Sequence, residues 1–329
     1  MKKTLVAIAA LAAATGAMAQ VTISGAMAYG YDSTTNSTSG AAVTTKLFGD
    51  PRANSSLNFG VSEDIGGGLK AEGQIGLLPL LDASAATVGY QSFLALQGDF
   101  GRIQGGRFAD SQANVQFTHD VVGAWGFNPT NAAAAALGGF FSANQLKYTL
   151  PTVANGLTLS ATKALGETAG SRAGEHNSFA AGYVQGGFSA DIAYTKIAAT
   201  VAIDTTILGA GASYDFGLAK LSALMTQHSV ENQTSTSASN IGITVPFGAM
   251  TLAVQSGTAN RYIVSNIAAA TAVTQTSVDW RIGYALSKRT NIYGVYSTLD
   301  GNNGSTTAAN AAVNGDSQKR TQLFVLHSF

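Results

Sequence analysis

The chain has 329 residues, with 18 Lys+Arg against 18 Asp+Glu and only 11% charged residues, where a soluble domain carries about 25%. A formal net charge of zero gives no electrostatic footprint for nucleic acid, and the lack of cysteine means that the fold is held without disulfides. Mean hydropathy is positive at +0.15, yet beyond the N-terminus no run of about 18 apolar residues exists to make a membrane helix.

The N-terminus reads as an export signal over 1–19: Lys2 and Lys3, an apolar run from Leu5 to Ala14, then Ala17-Met18-Ala19 as a small-x-small cleavage pattern. The apolar run is shorter than the roughly 20 residues of a spanning helix. Cleavage after Ala19 leaves Gln20 first and removes two lysines, so the exported chain is slightly acidic.

From there hydrophobicity is spread in alternation. Leu69, Ala71, Gly73, Ile75 and Leu77 share one face while Lys70, Glu72 and Gln74 share the other. The same period returns in 156–164 and 277–286, and helical spacing appears nowhere at comparable strength. Strands are predicted near 20–31, 54–64, 69–78, 90–98, 102–109, 144–150, 156–164, 177–185, 188–197, 206–216, 218–228, 239–246, 249–257, 276–286, 290–299 and 317–329. Short Gly- and Asp-rich turns such as 65–68, 99–101 and 186–187 alternate with longer polar segments such as 32–53, 258–275 and 301–316. Short turns at one rim and long loops at the other are the signature of an outer-membrane barrel.

One connector, about 109–143, carries Trp125, Pro129 and the alanine run 132–136. Its aromatic content predicts a loop packed inside the barrel rather than a solvated tail. In hydrocarbon, unpaired backbone groups force strands to close on themselves, and sixteen strands enclose a bore too wide for side chains to fill. The expectation is an all-β, transmembrane, 16-stranded antiparallel barrel over 20–329, with an inward-folded third extracellular loop. A soluble sandwich or repetitive adhesin shares the alternation, but the low charge content and the final strand ending on Phe329 favour a membrane barrel.

Alternation assigns Lys70, Glu72, Arg102, Gln104, Lys147, Asp279 and Arg281 to the polar, pore-lining face. Strict alternation would turn Arg107 toward lipid, where arginine costs about 2 to 4 kcal/mol, so a bulge and a lumenal or rim position are expected there. The acids of the long loop are Asp110 and Asp120. Tyr148, Trp280, Tyr284, Tyr293 and Phe329 fall on the apolar face as interfacial anchors.

No catalytic site, cofactor or metal is expected. His119, His176, His228 and His327 are far apart without ligand spacing, and no Gly-x-Ser-x-Gly elbow, Walker motif or dinucleotide fingerprint is present.

Six segments in order, VTISGAMAYGYD, SSLNFGVSEDIGGGLKAEGQIG, YQSFLALQGDFGRIQGGRF, NQLKYTLPTVANGLTLSA, YALSKRTNIYGVYS and FVLHSF, resemble the Gram-negative porins of the β-proteobacterial type, over the whole exported chain. The resemblance implies a sixteen-stranded barrel, a homotrimer, and a third loop, here 109–143, folded inward to narrow each pore. It also implies basic wall residues, with Lys147 and Arg107 at matching positions, facing acids on the loop. The chain departs from the pattern where the family often has Arg in the strand reading SSLNF and at Gln91, and its loop lacks a Pro-Glu-Phe-Gly-type signature. A weaker or displaced field at the constriction is expected. The expected function is a general diffusion porin for small ions and hydrophilic solutes, with weak anion preference, surrounded by outer-membrane lipid and lipopolysaccharide. A substrate-specific channel, or a non-channel structural or adhesive β protein, remains the alternative.

Overall fold

The computed structural model describes residues 20–36, 43–48, 55–78, 88–123, 126–127, 130, 140–152, 154–166, 169, 171–172, 174–200, 203–231, 235–262, 272–302 and 316–329. The expected signal at 1–19, and the part of the long loop with Trp125, Pro129 and 132–136, lie outside the described residues.

The strands are β1 (Gln20–Asn36), β2 (Val43–Phe48), β3 (Ser56–Gly66), β4 (Leu69–Leu78), β5 (Val88–Gly98), β6 (Gly101–Ala109), β7 (Phe141–Thr149), β8 (Leu157–Ala164) and β9 (His176–Gln185). They continue as β10 (Phe188–Thr200), β11 (Ile203–Asp215), β12 (Lys220–Val230), β13 (Thr236–Phe247), β14 (Met250–Tyr262), β15 (Ala272–Ala285), β16 (Thr290–Asn302) and β17 (Asp316–Ser328). A helix, α1 (Ser111–His119), lies between β6 and β7.

The strands pair antiparallel in chain order, and β1 pairs with β17, so the sheet closes into a ring. Closure pairs ladder groups where no water is available to do so. The described segments make sixteen staves rather than seventeen because β2 and β3 share one edge of β1: β2 pairs with 30–35 and β3 with 20–26. At the break the Ser55 hydroxyl stands in for a strand. It accepts from the Ala28 N–H at 3.0 Å and donates to the Ala28 carbonyl at 3.4 Å.

Alternation decides the faces. Phe179 is 62% exposed on the outside, while the adjacent Ser178 is 1% exposed on the inside. One rim carries tight turns such as 67–68, 99–100, 186–187 and 248–249, and there the last residue, Phe329, exchanges backbone hydrogen bonds with Gly25. The other rim, called upper below, carries the longer connections.

The polar segments 32–53 and 258–275 are not connectors throughout. β1 runs on to Asn36, β2 occupies Val43–Phe48, and β14 and β15 extend to Tyr262 and from Ala272. These extensions read Ser33-Thr34-Thr35 or Thr258-Ala259-Asn260. Rising beyond the apolar band, they mix small and polar residues and carry no period-2 signal.

Candidate functional site

The described start of the long loop, α1, lies against the inner wall. α1 packs against β9–β12, and it does so with a polar face: Gln112, Gln116 and His119, at i, i+4 and i+7, are all buried. Gln112 Nε2 donates to the carbonyls of Ala193 at 2.7 Å and Ile207 at 3.0 Å. His119 Nε2 lies 2.9 Å from Asp191 Oδ2, and the Ser222 hydroxyl donates to the His119 carbonyl at 2.5 Å. Helix and wall come this close because two wall positions have no side chain. A Cβ on Gly209 would stand 2.2 Å from Gln112 Oε1, and one on Gly211 would stand 2.2 Å from His119 Cδ2.

Past the helix, the chain is fastened to β14 and β15. Val122 N donates to Gln255 Oε1 at 3.2 Å, Gln255 Nε2 to Asp279 Oδ2 at 3.1 Å, and Phe127 N to Asp279 Oδ1 at 2.7 Å. Arg281 reaches the Val122 carbonyl at 3.4 Å and lies 5.8 Å from the centre of the Tyr293 ring. Val122 also joins Ala28, Ala253, Val295 and Phe324 in a hydrophobic cluster on the inner wall, against which Tyr293 packs. Tyr293 therefore faces inward and is not an anchor on the apolar outer face. The covered stretch of inner wall is apolar, which breaks the alternation that assigned it.

Both loop acids have partners in the loop or at its base. Asp110, 1% exposed, accepts from the Ser142 hydroxyl at 2.8 Å and lies 3.3 Å from His176 Nε2. Asp120 Oδ1 accepts from Val122 N at 3.2 Å and Gly123 N at 2.9 Å, closing the turn after α1. The exposed face of α1 is instead Asn114, Phe117 and Thr118, which carries no charge.

On the wall, Lys70, Glu72, Arg102, Gln104 and Lys147 form one patch across β4–β7. Glu72 is bracketed by Lys70 Nζ at 2.7 Å and Arg102 Nε at 3.2 Å. Arg102 also donates to Gln104 Oε1, and Gln104 is the cross-strand partner of Lys147. No carboxylate among the described residues lies within ion-pair distance of Lys147, which opens on a cavity of about 220 Å³ with Ser111, Asn114, Thr158, Ser160 and Asp191. Asp279 and Arg281 share the inner face, but they hold the loop rather than stand in open bore.

Arg107 sits at a bulge between Gly106 and Phe108, where Gly106 has φ 135°. The extra residue is in β7, so the bulge does not turn Arg107 inward: it lies opposite Ser92 in the outward row of Leu94 and Ile103, exposed, two residues from the upper end of β6, and its Nε donates to the Tyr90 carbonyl at 3.2 Å.

Sequence reasoning missed the loop fasteners Gln112, His119, Asp191 and Gln255. It also missed the seam of the barrel, where Arg320 Nε and Gln322 Nε2 each donate to Asp32 Oδ2 at 2.9 Å, all three residues being buried. A glutamine–glutamine–histidine row at helical spacing was the available signal for the first of these.

The geometry has counterparts. A family model described as Gram-negative porin matches residues 5–304. Outer membrane porin protein 32 of Delftia acidovorans is 29% identical over an alignment of 371 positions that covers 100% of both chains. An anion-selective porin from Comamonas acidovorans superposes with a TM-score of 0.76 at 20% identity, covering 95% of this chain and 100% of that one. A trimer form of OmpT from Vibrio cholerae gives 0.71 at 12% identity, covering 94% and 99%. With a family match across most of its length and a closed barrel around a polar bore, the chain belongs to the Gram-negative porin family and is a channel of the outer membrane.

Proposed function

We propose that this general diffusion channel passes small hydrophilic solutes and ions with a preference for anions, set by Lys147 together with Arg102 and Lys70. The observation that carries it is the disposition of the loop acids: with Asp110 and Asp120 turned to internal partners, the bore has a basic wall opposite a neutral helix face. A passing anion then meets more attraction from the wall than repulsion from the helix. The anion-selective porin of Comamonas acidovorans, similar in fold, supports the same direction. Zero-current potentials across a KCl gradient test it, and a cation-selective potential would overturn it.

In this reading the protein works as a homotrimer, as a trimer form is known for one solved relative, embedded in outer-membrane lipid and lipopolysaccharide. The leader ends at Ala19, so the exported chain begins at Gln20, and N-terminal sequencing of protein from outer membranes checks that. No catalytic step is part of the reading.

A second reading, a channel favouring aromatic solutes, has one observation behind it. Phe117 is exposed on α1, with ring centres 5.3 Å from Phe140 and 6.3 Å from Phe141, and Phe141 meets Tyr90 edge-on at 5.1 Å. Block of the ion current by benzoate but not by acetate would favour this reading.

A further inference from the structure

The outer surface changes character abruptly near the upper rim of β8–β11. Register places Ala161, Phe179, Tyr194 and Leu208 in one outward row, with Phe179 and Tyr194 exposed, as aromatic side chains at a membrane interface are. Two residues higher, about 7 Å along the strands, the same four strands carry Lys163, Asn177, Lys196 and Thr206 in a single row. Lys163 and Lys196 stand two strands apart, roughly 9.5 Å, with Asn177 between them.

Carboxylates from the rim hold these cations in place. Lys163 Nζ lies 3.7 Å from Glu175 Oε2, which also meets Arg172 Nε at 3.6 Å, and Lys196 Nζ lies 2.8 Å from Asp204 Oδ2. The side chains of Lys163, Lys196 and Arg172 are nevertheless 45%, 51% and 65% exposed. Each ammonium has three donors, so the ion pairs leave donors directed outward. Two other outward rows near this rim differ. Thr258 pairs with Thr276 on β14 and β15, and Lys319 on β17 stands between Thr35 and Thr298.

The lysine row faces away from the bore, so permeating solutes do not meet it. What lies outside a barrel just above its aromatic band is a lipid headgroup. We infer that the Lys163–Asn177–Lys196 row binds a phosphate of a phosphorylated glycolipid of the outer leaflet. Two ammoniums on different oxygens of one phosphate stand up to roughly 8 Å apart at charge-assisted hydrogen-bond lengths, a span these side chains reach by leaning toward Asn177. The acyl chains then run down over Phe179 and Tyr194. The inference rests on the lipid-embedded reading above and specifies where a lipid docks.

The test is native mass spectrometry of the detergent-purified protein titrated with diphosphoryl lipid A, with its enzymatically dephosphorylated form, and with inorganic phosphate. Diphosphoryl lipid A is expected to bind. The double variant Lys163→Glu/Lys196→Glu binds it weaker by roughly 30-fold or more, the loss of two headgroup cations, and Lys163→Gln/Lys196→Gln shows a smaller loss in the same direction. Single-channel conductance stays unchanged in both, so the channel reading is tested separately from the lipid site. Equal affinity for the variants, or for the dephosphorylated lipid, would overturn the inference. So would displacement of the lipid by millimolar inorganic phosphate, or a change in subunit number in the double variant, which would make the row a protein contact instead.

Discussion

Lys147→Glu is the most direct probe of the bore. An ion about 5 Å from the side-chain charge interacts by about 0.8 kcal/mol at water-like dielectric, reduced to about 0.5 kcal/mol by screening in 0.1 M salt. Charge reversal changes the energies of anion and cation oppositely, by about 1 kcal/mol each, a swing of about 2 kcal/mol or roughly 30-fold in the anion-to-cation permeability ratio. For an ion passing about 8 Å away the swing falls to roughly 5-fold. Reversal potentials of single channels across a tenfold KCl gradient read this ratio. Lys163→Glu, on the outer face, makes the same charge change and is expected to leave the potential where it is. A shift of less than about 2-fold for Lys147→Glu would mean that the narrowest passage lies elsewhere.

Gly211→Val places a side chain where His119 now lies, so α1 is expected to be displaced into the bore and single-channel conductance to fall, with the folded band on unheated SDS gels retained. Asp279→Ala removes the acceptor of Phe127 N and Gln255 Nε2. Hydrogen bonds to a charged group contribute about 1.5 to 3 kcal/mol each, so the loop end should loosen, read as increased current noise and faster proteolysis within 109–143. Asp32→Ala leaves Arg320 buried without its acid, a loss of about 3 to 5 kcal/mol, measured as a lower temperature for conversion of the folded to the unfolded band.

The strands were legible because lipid on one side and water on the other impose a strict period on each stave, as in 69–78. The start of the loop was not legible as a helix. Pattern reasoning looks for an apolar stripe, whereas α1 buries Gln112 and His119 against carbonyls and an aspartate of the wall and Gln116 against the Thr130 carbonyl of the loop itself. The same exchange misplaced Tyr293: where the loop covers the wall, Val295, Phe324 and Tyr293 line the inside, so both faces of the stave are apolar. The grouping of Lys70, Glu72, Arg102 and Lys147 on one face of neighbouring strands followed from alternation alone. The orientation of Asp110 and Asp120 did not, because it depends on Ser142, His176 and a local turn.

The seam between β1 and β17 bears on how the molecule forms. Asp32 and Arg320 are 288 residues apart, close to the largest separation the chain allows, and ring closure needs the final strand as much as the first. Pairings of such long range form slowly, because the entropy of bringing distant segments together is lost before any contact compensates. A partly emerged chain can form hairpins such as β3–β4 or β9–β10, but every incomplete sheet has two unsatisfied edges that hydrocarbon does not tolerate. Entry into the bilayer is therefore tied to release of the whole chain, and a truncation that removes only β17 leaves fifteen good staves with no stable way to cross the membrane.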